Sequence, residues 1–326
     1  MSINHTSILS EKEIGFLDQN GYLLLENILN ADQIKNIKKR IEEIKQEEGS
    51  RVGDVRYGRY RKSLIENGGI IAKIKLLINS LCFKMMKFMI VQIRKRSAFF
   101  NQVLYSVISD QSFYRDIGGF RADMNQMLLN IVQQQETKVD RLCNLANKGP
   151  EFDIFFTHPK ILACLQHIIG DEFKLSSLNL RAPKKGCWVQ PMHADWPWTV
   201  QPGTFYTSNT LWMLDDITEE NGPTRVIPGT HFTGKLPNEE LSDLQAPHPD
   251  EVHVTGKAGS VLILNGHVWH GGTTNKSGES RQLIQSYFVH KAHHPQQFQH
   301  LLITPETRAR LNDDALKILD IPIYQN

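Results

Sequence analysis

The sequence predicts a mainly β fold with flanking helices, and three observations carry that prediction. Apolar and β-branched segments dominate from about Lys174 to Val289 and are separated by Pro/Gly turns, the pattern of short strands. An amphipathic helix precedes them over Asn30–Glu48: Ile34, Ile37, Ile41 and Ile44 recur at spacings of three and four, with Asn30 or Asp32 as cap. A last helix opens at Thr304-Pro305-Glu306, with proline at the first helical position, and runs through Lys317. A β core at 174–290 inside a single domain spanning 1–326 is the expected organisation.

Length and composition agree. A chain of 326 residues could form one or two domains, and all-β barrels often run long as one. Apolar content of 40% supports a sizeable core, and 22% charged residues is ordinary for a water-facing surface. A net charge of +2 gives no footprint for nucleic acid. Cys82, Cys143, Cys164 and Cys187 have no paired spacing, which argues against a disulfide scaffold or a zinc site and for a reducing compartment. The N-terminal residues lack a basic-then-apolar signal pattern and the C-terminal residues lack a peroxisomal tripeptide, so a cytoplasmic location is expected.

The chemistry is concentrated in His193-Ala194-Asp195, answered by His270 and then Arg281. In an extended strand residues i and i+2 share a face, so His193 and Asp195 can grip one ion together. The second segment, Gly259–Gly266, reads as a buried strand after a turn glycine. Counting by twos places Leu264, Gly266, Val268 and His270 on one face, with His267 and Trp269 on the other. His270 is therefore the better ligand, and Gly271-Gly272 behind it leave room for a small molecule. Two histidines and one carboxylate suit a ferrous iron that keeps positions open for a co-substrate and dioxygen. A strand from Ser280 to Phe288 carries Arg281 back into the same core, where it can hold a carboxylate in a bidentate grip. A lone His-x-Asp occurs by chance in many chains; its ordered combination with His-Gly-Gly and an arginine points to an Fe(II)- and 2-oxoglutarate-dependent oxygenase.

From about Ser10 to Val289 the chain resembles the phytanoyl-CoA dioxygenase family. Glu11–Glu26 is similar to that family's opening helix and strand, and Phe156–Asp171 to its central helix. The loop from Leu214-Asp215-Asp216 through Asn221-Gly222-Pro223-Thr224-Arg225-Val226-Ile227-Pro228-Gly229-Thr230-His231 is the most recognisable stretch. The resemblance implies a double-stranded β-helix core of the jelly-roll, cupin-like kind, with His193, Asp195 and His270 as iron ligands and Arg281 on the distal carboxylate of 2-oxoglutarate. It also implies that Trp212 packs near the co-substrate. Asn179 and Arg181 share one face of the preceding strand, pointing either inward to a charged ligand or outward to solvent. His231 is expected to close its loop by hydrogen bonding. Because related halogenases lack the carboxylate that Asp195 provides, hydroxylation, desaturation or cyclisation is favoured over halogenation.

The departure from the family lies at 51–150, which reads as a helical and basic insertion packed on or over the barrel. Within it Ile70–Arg96 carries seven basic residues and no acid, and its lysines interrupt any apolar run of the ~20 residues a membrane span needs. It can be a lid, a helix lying on an anionic membrane surface, or a face for a protein partner. Arg59 and Arg61 stand in a second basic cluster interleaved with tyrosines, either a solvated loop or a reader of an anionic substrate. Two function classes follow: an oxygenase acting on a small, acidic metabolite or natural-product intermediate, or a non-catalytic metal-binding barrel that binds membrane or protein through 70–96. The complete ligand set with Arg281 favours the first, and the oligomeric state stays open.

Overall fold

A computed structural model describes residues 8–48, 51–52, 139–187 and 189–323. Helix α1, Glu11–Asn20, begins with a reciprocal capping box between Ser10 and Glu13. It ends at Gly21, whose φ of +74° is a left-handed conformation suited to glycine. A second demand acts at the same place, because a Cβ on Gly21 would lie 2.5 Å from the His231 ring. The chain then enters strand β1, Tyr22–Leu25, and helix α2, Ala31–Glu48. Asn30 caps α2, its Oδ1 accepting from Gln33 N while Gln33 Oε1 accepts from Asn30 N, both at 2.9 Å. The expected apolar stripe is buried, with Ile37, Ile41 and Ile44 inside.

The remaining strands are β2, Arg51–Val52; β3, Val139–Leu142; β4, Phe173–Pro183; β5, Thr207–Met213; β6, Thr224–Ile227; β7, Val252–Val254; β8, Val261–Asn265; β9, Trp269–Gly272; and β10, Leu283–His290. They form a seven-stranded sheet in the order β1-β8-β5-β10-β4-β3-β2 and a three-stranded sheet in the order β7-β6-β9. Every pairing is antiparallel except β2 with β3. Leu211, Met213, Leu262, Leu264 and Leu283 of the large sheet pack on Val226 and Val254 of the small one, with Val268 between them. Two sheets closed face to face in this way are the jelly-roll, or double-stranded β-helix, that the sequence predicts.

Three details differ from the sequence prediction. Strand β8 does not continue to His270: the chain turns at Gly266, where Val268 N donates to Asn265 O at 2.9 Å, and crosses from the large sheet to the small one. The last helix is broken in two, Pro305–Arg310 and Asp313–Ile318, because Asn312 is extended and its side chain caps Ala315 N at 2.9 Å. Residues 139–142, placed in the insertion by the sequence, are instead a strand of the large sheet paired with β4. The segment Ile70–Arg96, with Arg59 and Arg61, lies outside the described residues.

Candidate active site

His193 and His270 meet as neighbours on adjacent chain segments. His193 N donates to His270 O at 2.8 Å and His270 N returns the bond to His193 O at 2.9 Å, a two-residue antiparallel bridge. Two residues on, Asp195 N donates to Gly266 O at 2.8 Å, so the turn that ends β8 also fixes the carboxylate. Gly266 has no room for a side chain: a Cβ there would sit 2.3 Å from Thr207 Cγ2 and 2.9 Å from the Thr207 carbonyl. The backbone thus gathers three donors whose ligand atoms all lie within 4.8 Å of one another. His193 Nε2 is 3.9 Å from Asp195 Oδ1, and His270 Nε2 is 3.7 Å from Asp195 Oδ2.

The same local fold sets the histidine tautomers. His193 Nδ1 lies 2.9 Å from Pro191 O and His270 Nδ1 lies 2.9 Å from Val268 O, so each Nδ1–H donates to a carbonyl two residues upstream. Nε2 is left as a lone pair facing the cluster, the arrangement a metal requires. Burial, reinforced by the His270 imidazole, pushes the His193 pKa down to about 4. A third of the His193 side chain reaches the surface, yet both causes act in the same direction, toward the neutral ring.

Asp195 is steadied, at its carboxylate and at its main chain, by two residues that the sequence did not single out. Asn209 Nδ2 donates to Asp195 Oδ2 at 3.1 Å, and the Tyr287 hydroxyl donates to the Asp195 carbonyl at 3.3 Å. They are cross-strand partners, Asn209 on β5 and Tyr287 on β10. The available signal was phase: Asn209 alternates with Leu211 and Met213, which face the core. Gln190, also not singled out by the sequence, lies against the other ligand, with Nε2 3.5 Å from His193 Nε2.

Arg281 lies just before β10 rather than within it, in phase with Leu283 and 2% exposed. Its Nε and Nη1 have no hydrogen-bond partner among the described residues. Burial and the nearby Arg181 guanidinium push its pKa down to about 9, so it is still a cation at neutral pH. A buried guanidinium without an acid is costly unless an anion arrives, and a carboxylate has the matching fork. Arg181 is also buried, and the Cβ position of Gly272 lies 3.6 Å from its Nη1.

Two residues expected near the co-substrate make other contacts in this fold. Trp212 is fully buried, but it packs edge-on against Phe155 at 5.0 Å and against His158 at 6.1 Å. One residue out of phase with Leu211 and Met213, it faces the helices outside the barrel and not the metal cluster. Asn179 shares the face of Ser177 and Arg181, but its Oδ1 accepts from Asn144 N at 3.2 Å and from Gln297 Nε2 at 2.8 Å, ties that serve the scaffold. His231 behaves as expected, with Nε2 3.0 Å from Asp18 O, locking its loop to α1. His267 Nε2 accepts from Tyr206 N at 3.1 Å, and burial pushes its pKa down to about 4.

A jelly-roll with this cluster defines a class of scaffold: that of the iron- and 2-oxoglutarate-dependent oxygenases. The chain belongs to the phytanoyl-CoA dioxygenase (PhyH) family, whose model matches residues 17–283. Among curated proteins it is similar to Dioxygenase af480 of Aspergillus fumigatus, 24% identical over 152 residues that cover 43% of this chain and 46% of that protein. It is also similar to Dioxygenase andF of Emericella variicolor, 29% identical over 147 residues, 42% of this chain and 48% of that protein. The matches thus span about half the length of these relatives. Among solved structures, HygX from Streptomyces hygroscopicus with nickel and 2-oxoglutarate bound superposes with a TM-score of 0.54 at 13% identity, covering 88% of this chain and 89% of that one. At that identity the likeness is one of fold.

Proposed function

We propose that this protein is an Fe(II)- and 2-oxoglutarate-dependent oxygenase that oxidises a C–H bond of a small molecule. The carrying observations are the His193–Asp195–His270 cluster and, within the same fold, Arg281, a buried cation with no acidic partner among the described residues. Donor chemistry fits the metal: two neutral imidazoles and one carboxylate form the facial set used by non-haem iron, with remaining positions open. His193 Nε2, Asp195 and His270 Nε2 would hold the ion, and Arg281 would take the distal carboxylate of 2-oxoglutarate. When bound, iron with 2-oxoglutarate and dioxygen supplies the oxidation, releasing succinate and carbon dioxide. The chain's own residues orient and shelter: Asn209 holds one oxygen of Asp195, the upstream carbonyls hold both histidine tautomers, and the apolar core closes the other end of the barrel.

For the substrate we favour a natural-product intermediate that carries an acidic group, undergoing hydroxylation, desaturation or cyclisation. Arg181, buried next to Arg281, supports the acidic group. Directly after Asp195, the loop over 196–206 forms an open cleft of about 490 Å³ lined by Trp196, Trp198, Tyr206, Thr199, Gln201 and Thr204, suited to an apolar, ring-bearing portion. HygX, of the same fold, has been solved with nickel, 2-oxoglutarate and hygromycin B. Among the described residues, buried cysteines outside any disulfide, Cys164 and Cys187, support a reducing compartment such as the cytoplasm. Among the described residues no helix is long and apolar enough to cross a membrane.

The test is anaerobic titration of the purified protein with Fe(II) and then 2-oxoglutarate, following the visible charge-transfer band of the chelate. The band should form with the native chain and be lost in His270→Ala. A folded, iron-loaded protein that gives no band would overturn the proposal.

A further inference from the structure

We infer that Asp215 is a positioning residue for Arg281, and so for the distal carboxylate of the co-substrate; the inference rests on the oxygenase reading above. Arg281 has an unusual task. It must stay inside the barrel next to a second cation while its guanidinium has no acidic partner among the described residues. Both its desolvation and the repulsion from Arg181 favour movement of the chain outward, toward water. Among the described residues no acid holds the side chain and its Nε and Nη1 have no hydrogen-bond partner, so the backbone on either side is where a polar restraint can act.

Asp215 supplies it. Its Oδ2 accepts from Ser280 Oγ at 2.7 Å and from Gln282 N at 2.8 Å, the two residues that flank Arg281. Leu214 N donates to Gln282 O at 3.0 Å, extending the β5–β10 ladder past its last paired residues, Met213 and Leu283. The other carboxylate oxygen of Asp215 pairs with Lys38 of α2. One carboxylate oxygen therefore grips the residue before and the residue after the arginine, while the half-exposed Lys38 pair adds little to that grip. The turn just upstream is held independently: Asn275 Nδ2 donates to Pro183 O and Glu279 O, and its Oδ1 accepts from Gly278 N. Loss of Asp215 should thus loosen Arg281 without unfolding the loop. In the stretch Leu214-Asp215-Asp216 the roles divide, because Asp216 turns away to Lys257 Nζ and Ala258 N, each at 2.8 Å.

The experiment measures Fe(II) binding and 2-oxoglutarate half-saturation separately, by the anaerobic titration, in the full-length chain. Asp215→Ala should raise the 2-oxoglutarate requirement by roughly tenfold or more, the usual scale for an outer-sphere partner, and leave Fe(II) affinity unchanged. Asp215→Asn keeps an oxygen where Ser280 Oγ and Gln282 N donate but loses the charge facing Lys38, so it should restore most of the native affinity. Lys38→Met should have little effect. Should Asp215→Ala fail to fold, Ser280→Ala, which removes one of the two bonds, is read against Asp215→Asn and should show a smaller rise. A folded Asp215→Ala with native 2-oxoglutarate affinity overturns the inference, as does Asp215→Asn behaving like Asp215→Ala. Failure of the native chain to bind 2-oxoglutarate at all would instead sink the oxygenase reading itself.

Discussion

The two ends of the barrel interior are built from the same strands to opposite purposes. Strand β5 gives Asn209 to the metal cluster and Leu211 and Met213 to the apolar core, and β10 gives Tyr287 to one end and Leu283 to the other. The chain after β8 does the same over three residues, placing Val268 in the core and His270 in the cluster. Period-two alternation keeps all of these on the inner face, so position along the strand alone decides which end a residue serves. Stability should therefore be seated at one end and metal binding at the other, and the two should be separable by substitution.

The largest expected effect is on stability. Leu262, opposite Leu211, is fully buried in the apolar cluster, and Leu262→Ala should cost about 2–5 kcal/mol through lost burial and the cavity left behind. Denaturant midpoints would show this, while Fe(II) affinity of the folded fraction stays native; a parallel fall in affinity would mean that the ends are not separable. The converse substitution is Asn209→Leu, which removes the donor to Asp195 along with an Asn209 Oδ1 that is buried and unpartnered among the described residues. Metal affinity should fall by about 10- to 100-fold, measured with Fe(II) or Co(II), and the unfolding midpoint should hold or rise.

How far the sequence exposed this arrangement follows from the same alternation. His193, Asp195 and His270 were legible because His-x-Asp carries its own face and the Gly-Gly after His270 marks a confined space. Arg281 was legible by its place before an apolar strand, although the strand itself begins at Leu283. Asn209 and Trp212 were not, since one strand of mixed residues does not announce which phase points inward. That phase is fixed by register against β8 and β10, information held in other strands. The break at Asn312 was hidden for a related reason: the helical pattern continues through it, and the extended Asn312 that caps the second helix is seen only in the fold.

The smallest effect is on pH dependence, and it belongs to neither end. His267 is neutral in the fold because its Nε2 accepts from Tyr206 N, and burial lowers its pKa to about 4. With a folded value below the unfolded value of about 6.5, its contribution is full above pH 6.5 and is lost as pH falls from there through 4. Denaturant midpoints taken over that interval should decline less in His267→Gln than in the native chain. Equal declines would assign the acid sensitivity to other groups, His231 among them, whose pKa burial also lowers.

The reciprocal pair of hydrogen bonds between His193 and His270 bears on how such a protein can diversify. Two of three proposed ligands owe their spacing to a junction between chain segments more than seventy residues apart, not to the loop that joins His193 to the next strand. The middle of that loop, between the bonds of Trp196 N to Gly266 O and of Tyr206 N to His267, lines the cleft and makes no part of the His193–His270 bridge, so it is the place where length and sequence can vary. With that cleft as the proposed substrate site, inheritance of the chemistry is uncoupled from inheritance of specificity, and a new substrate is reached by rewriting the rim while the junction is copied unchanged.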